Sequence, residues 1–271
     1  MYRMRRRTRR KQKGGTALPP IYVVYFAHVN LHDEPWEGSR AQQLITHQMK
    51  EVKDWGLVEK SCKFFTVFTS PKQETLDAVQ TAVKHLIPKA EVSTELGNPH
   101  ERPGLLRVWN CAREIPEAKR QQSIILYFHS KGMVNGDKGK IKTDANNNMT
   151  NIVIKPWKEI AARFKRDPAV NKAGFSAAPD GFIWHNFWWV RANYLMDVPR
   201  PAAAKRRHYF ENWLALKATK PSNHNDTEEE RGERIMHAKD CLSLCLKGAD
   251  GELGLTIPGN LPSVPSCDLG M

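Results

Sequence analysis

The chain is predicted to fold as an α/β protein, with a mostly parallel sheet flanked by helices. Three observations predict it. Short β-branched and aromatic runs alternate with segments of helical spacing; two of those runs, 21–27 and 123–128, are apolar on both faces; and 271 residues suffice to bury a core without metals or disulfides. Collagen, coiled coil and wholesale disorder are excluded by the same composition.

Ile21–Ala27 is too short for a buried helix and reads as a central parallel strand, with His28, Val29 and Asn30 at its carboxyl end. From Glu37 to Trp55 the apolar residues Leu44, Ile45, Met49 and Val52 fall at helical spacing, and Gly56 follows as a stop. Phe64–Phe68 is a second strand, Glu74–Leu86 a second helix and Lys89–Ser93 a short third strand. Leu105–Arg113 reads as a helix leading into the strand Ser123–Phe128. Residues 132–151, rich in Gly, Asn, Lys and Asp, read as a long loop, and Ile152–Phe164 returns to helical spacing. Ala173–Ala177 reads as a strand, Phe182–Tyr194 is densely aromatic, and a helix over Tyr209–Leu216 closes the compact part. One amphipathic helix, Glu228–Leu246, and a Gly- and Pro-rich end follow. The expected division is a basic disordered arm over 1–18, a globular domain over 19–218 and an extension over 219–271.

The net charge is +13, but eight Arg and Lys residues lie between positions 3 and 13 with no acid among them, so the body is only mildly basic. Such a run repels itself and serves either as a solubilising tail or as an arm for nucleic acid or an anionic surface. No stretch is long and apolar enough for a membrane span and no apolar signal core follows the arginines, so the expected compartment is the cytoplasm. The five cysteines are scattered; Cys241 and Cys245 share one helical turn and read as small apolar side chains rather than ligands.

Ligands of parallel sheets bind beyond the carboxyl ends of the strands, which directs attention to the residues after Ala27 and Phe128. In Tyr127-Phe-His129-Ser130-Lys131-Gly132 an extended chain presents imidazole and ammonium to one side, and Gly132 permits close approach. This suits an anion such as a diphosphate, although a strand end with a solvated lysine accounts for the same residues. The cluster Phe182–Trp189 holds five Phe or Trp residues in eight. Its rings make platforms for a sugar or base, with Asn186 and Arg191 as polar anchors, or simply a core strand. Glu211, in Arg206-Arg207-His208-Tyr209-Phe210-Glu211-Asn212-Trp213, lies among bulky neighbours where partial desolvation makes a usable general base; pairing with Arg206 or Arg207 is the plainer alternative. Glu101-Arg102-Pro103-Gly104-Leu105 opens the helix before the 123–128 strand.

Taken in order, these segments resemble a family of GT-A-fold glycosyltransferases of bacteria, phages and large DNA viruses. The resemblance spans residues 21–216: a first strand ending in His28; Glu101 with Pro103 and Leu105; Tyr127 to Gly132; Asn186 to Val190 with Tyr194; and Glu211 with Trp213. It implies a GT-A-like, Rossmann-like sheet and transfer of a hexosyl or pentosyl group from a nucleotide sugar to a hydroxyl of a glycan, protein or modified nucleic-acid acceptor. It places His28, Asn30, Glu101, Arg102, Ser130 and Gly132 at the donor, Asn186, Trp188, Trp189 and Arg191 at the acceptor, and Lys131, His129 and Glu211 in catalysis. By the same resemblance Glu211 stands where inverting enzymes keep their base. The chain contains no Asp-x-Asp, the usual metal-holding motif of the fold, and His129-Ser130-Lys131 takes its place. Lys131 would then meet the diphosphate directly, at about 4 kcal/mol for one pair at 4 Å and an effective dielectric of 20. Arg102 or the loop lysines Lys138, Lys140 and Lys142 would assist; otherwise Mg or Mn would bind through Asp137, Asp144 or Asp180. No metal is assigned. The chain departs from the family at Phe182-Ile-Trp184-His185, where small residues have become large. The competing classes are a nucleic-acid-binding protein and an inactive relative kept as an interaction module.

Overall fold

The computed structural model describes residues 17–31, 34–130, 149–175, 182–204, 207–218, 232–234, 241–247 and 252–256. Apolar runs of the first half form β1 (Ile21–His28), β2 (Ser61–Ser70), β3 (Glu91–Leu96) and β4 (Ile124–His129). Between them lie α1 (Arg40–Asp54), α2 (Leu57–Lys60), α3 (Gln73–Leu86), α4 (Arg102–Glu114) and α5 (Glu117–Arg120). The Ser39 hydroxyl accepts from the Gln42 N–H and starts α1, and Gly56, at φ 73°, starts the short α2 directly behind it. These strands are parallel in the order β3-β2-β1-β4. Two short strands, β5 (Lys172–Phe175) and β6 (Trp188–Arg191), extend the sheet, β6 running antiparallel to both β4 and β5. The protein is therefore a mixed α/β fold with a mostly parallel sheet flanked by helices. No helix of the described residues is long and apolar enough to cross a membrane.

Alternation along the strands divides the core into two layers. Tyr25, Phe128 and Trp189 face α1, α3 and α6 (Trp157–Arg166), while Val24, Phe26, Tyr127 and Trp188 face α4. The single helix expected over 152–164 is divided: Thr150–Ile154 forms a π-helical turn, and α6 begins only after Pro156, which cannot donate a backbone hydrogen bond. The helix expected over 209–216 is likewise shorter. It runs as α7 (Arg207–Asn212), a 3₁₀ turn over Trp213–Ala215 and β7 (Leu216–Ala218), which pairs with β8 (Gly232–Arg234).

The amphipathic helix expected over 228–246 is corrected where the chain is described. Cys241–Lys247 is β9, parallel to β5, and Glu252–Thr256 is β10, antiparallel to β9. Leu242, Leu244 and Leu246 recur with period two, and a vacant sheet edge beside β5 made that alternation decisive over helical spacing. Residues 1–16 of the basic arm lie outside the described residues, and Lys165 donates to the Ala17 carbonyl at 2.6 Å.

The amino end of α4 is seated unusually close to the sheet. A Cβ at Gly104 would stand 2.7 Å from Phe26 Cβ and 2.8 Å from the Tyr127 hydroxyl. Gly104→Ala must lift the helix from both strands, and we expect urea unfolding to report a loss of about 1–3 kcal/mol. A change below 0.5 kcal/mol, roughly the scatter of a surface substitution, would mean that this contact does not set the position of α4.

Candidate functional site

The carboxyl ends of β1 and β4 lie side by side, with Phe26 registered against His129. His28 follows Val24 and Phe26 in the alternation and His129 follows Tyr127, so both imidazoles leave the sheet on the α4 side. His28 is buried, and its Nδ1 pairs with Thr69 Oγ1 at 2.9 Å. Burial, with the neighbouring His100 second, pushes the His28 pKa below the usual histidine value. The His129 ring lies parallel to Tyr127, and its Nε2 donates to the His185 carbonyl at 2.8 Å.

Glu101 stands immediately before α4 and brings a carboxylate to the same place. Its Oε2 accepts from Asn186 Nδ2 at 2.7 Å and lies 3.5 Å from the Tyr127 hydroxyl. Burial first, and then the Glu101 charge, raise the Tyr127 pKa well above the usual phenol value, so the phenol stays protonated and donates. Asn186 also donates to the Phe210 carbonyl at 3.3 Å, and its Oδ1 accepts from Trp188 Nε1 at 3.3 Å. This buried amide thus ties the β4–α4 corner to α7, and Glu211 is the next residue after Phe210.

Backbone strain collects at the same corner. Among the described residues, the non-glycine positions with positive φ are His100 (53°), His185 (72°) and Asn186 (53°). Each such residue costs on the order of 1–3 kcal/mol and persists only where its surroundings over-determine it. Here the determinants are visible: His129 holds the His185 carbonyl, Glu101 holds the Asn186 amide, and His100 packs its ring 6.0 Å from Phe210.

The structure separates the sequence candidates into three groups. His28, Glu101, Arg102, His129 and Asn186 come together with α7, which carries a half-buried Glu211, and Asn30 is exposed just beyond β1. Arg102 opens α4 with its Nε buried and without a hydrogen-bond partner among the described residues. Ser130 is buried; its N–H continues the ladder to the Phe26 carbonyl at 3.0 Å, and its hydroxyl bonds Tyr25 on the opposite face of the sheet. Lys131 and Gly132 lie outside the described residues, as do Asp137, Lys138, Lys140, Lys142, Asp144 and Asp180.

Three acceptor assignments are corrected. Trp188 and Trp189 are both fully buried, one packed on Tyr127 and Trp213, the other donating to the Val153 carbonyl at 2.7 Å, so neither presents a face to a ligand. Arg191 pairs with Ile124 at the amino end of β4, remote from His129 along the strand. Its guanidinium donates to the carbonyls of Gln121, Phe164, Asp167 and Val170, which makes it a structural clamp. The period-two alternation of a strand with both faces covered is the signal that places these tryptophans inside. Sequence reasoning missed His100 and gave Gly104 only as part of the helix start, not as a point of close approach. A glycine inside the first turn of a helix, where helix formation gains nothing from it, was the available sign of a close approach.

At this corner Glu101 Oε2, His28 Nδ1 and His129 Nε2 are each bonded to a protein partner. No protein family and no curated protein sequence matches the chain. Among solved structures it is similar to core-mannan synthase A from Aspergillus fumigatus in its Mn/GDP form, with 11% identity, 84% of this chain and 73% of that chain covered, and a TM-score of 0.28. So loose an overlap carries no argument about chemistry; the α/β architecture rests on the strands and helices themselves.

Proposed function

We propose that the protein is a glycosyltransferase that moves a sugar from a nucleotide-sugar donor to a hydroxyl acceptor. The observation that supports it is the joining of two strand-end imidazoles, the amino end of α4 and the Glu211 helix at one strained corner. In this reading the donor diphosphate lies beyond β1 and β4, where His129, Lys131 and Arg102 meet its charge and the α4 dipole adds to them. An Arg102 Nε–H buried without a partner among the described residues is the kind of donor an anionic ligand satisfies.

Glu211 acts as the base. It takes the proton of the acceptor hydroxyl as that oxygen attacks the anomeric carbon from the face opposite the departing nucleoside diphosphate, which inverts the configuration. His28, held neutral, lines the donor side without adding charge.

The test is release of nucleoside diphosphate from a panel of UDP-, GDP- and dTDP-sugars, each with and without EDTA. Release from at least one donor that persists in EDTA is expected, and Lys131→Ala should reduce it by two orders of magnitude or more, about 3 kcal/mol at 1.36 kcal/mol per decade. Silence across the panel in both conditions would overturn the transferase reading, whereas a strict metal requirement would overturn only the cationic assignment of Lys131.

A further inference from the structure

Among the described residues the exposed large apolar side chains are Leu18, Leu96 and Trp184. Leu18 precedes β1 and Leu96 ends the edge strand β3, whereas Trp184 belongs to the candidate site. Its indole is 44% exposed, between a fully buried Ile183 and the left-handed pair His185–Asn186. The reversal at His185 lets Ile183 and Phe187 both enter the core while Trp184 faces water. The turn is fixed from several sides. His129 holds the His185 carbonyl, the His185 ring lies 5.9 Å from Phe175 at an interplanar angle of 22°, and Phe182 meets the indole edge to face at 4.8 Å.

The hydrogen bond from His129 holds the backbone of the turn without the indole, which packs edge to face on Phe182 and leaves much of its surface wet. A rigid, half-wet aromatic face beside a polar corner is a stacking platform. We infer that Trp184 is the platform of the acceptor subsite, taking the C–H face of a pyranose ring, an inference that rests on the transferase reading above. The choice of a saccharide follows from what surrounds the turn. The Glu211 helix α7 packs directly against it, and Glu101 is bonded to Asn186 two residues on. A sugar offers a C–H face to the indole and hydroxyls to a carboxylate. A polynucleotide stacking a base at the same place would bring its phosphates against Glu101 and Glu211.

Saturation-transfer NMR titrations with methyl α-glucoside, methyl β-galactoside and methyl α-mannoside test the inference, with thermal shift by UDP and GDP as an independent readout of the donor side. The wild type is expected to bind at least one glycoside saturably. Trp184→Ala should bind it at least about tenfold more weakly, Trp184→Phe should stay within about threefold, and both should keep the wild-type nucleotide shift. Equal glycoside affinity in Trp184→Ala, or no glycoside binding to the wild type, would overturn the inference. So would Trp184-dependent binding of an oligothymidylate in place of the glycosides. Loss of the nucleotide shift from the wild type itself, with Trp184-dependent glycoside binding intact, would instead count against the transferase reading.

Discussion

Glu211→Gln is expected to lower the rate of sugar transfer by roughly two to four orders of magnitude, the usual contribution of a positioned general base. The substitution keeps the size of the side chain and removes its negative charge and its ability to accept a proton. Structural cost should be small, because Glu211 is half-buried and the elements around it are secured by other residues. Phe210 offers its carbonyl to Asn186, and the buried Trp213 donates to the Pro199 carbonyl at 2.8 Å. The melting temperature should therefore stay near that of the wild type, as should the thermal shift by nucleoside diphosphate. Undiminished transfer in Glu211→Gln would remove Glu211 from the chemistry.

Asn186→Ala is expected to destabilise the protein by about 2–4 kcal/mol and to weaken nucleotide binding as well. The amide is 1% exposed and serves Glu101 Oε2, the Phe210 carbonyl and Trp188 Nε1. Its removal leaves a carboxylate oxygen, a carbonyl and an indole N–H without that partner in a site water reaches poorly. The backbone adds to the loss, because φ at this position is 53°, a conformation asparagine tolerates and alanine resists. Glu101 would be left with the phenol of Tyr127 as its remaining partner here, and the amino end of α4 would lose its tie to α7. Urea denaturation reads the stability term, and a loss below 1 kcal/mol, the low end for a single unsatisfied buried polar group, would show that the network does not hold this corner.

Where the local pattern had one reading, sequence and structure agree. The strands at 21–28, 61–70 and 124–129 and the helices at 40–54, 73–86 and 102–114 follow directly from apolar runs and helical spacing. Disagreements arise where tertiary partners decided. Cys241–Lys247 satisfies both a helical and an alternating pattern, and the free edge of β5 selected the strand. For Trp188 and Trp189 the sequence left a ligand platform and a core strand both open; with β6 paired between β4 and β5 and both faces of the sheet covered, they are core. Arg191 shows the matching limit, since a guanidinium can anchor a ligand or four carbonyls, and only the fold says which. The strained turn at His185–Asn186 left no trace in composition or spacing, because it is imposed by His129 and Glu101 from distant parts of the chain.

The account depends on the β1–β4 corner receiving the diphosphate of an activated sugar, and a thermal-shift titration of the full chain with UDP, GDP and dTDP, with and without EDTA, tests this most directly. A ligand that binds only the folded state adds about 2.7 kcal/mol at a hundredfold excess over its Kd. The account predicts a concentration-dependent rise in melting temperature with at least one diphosphate, diminished in Lys131→Ala and in His129→Ala. A melting temperature that none of the three moves, or a rise that survives intact in both variants, would contradict it.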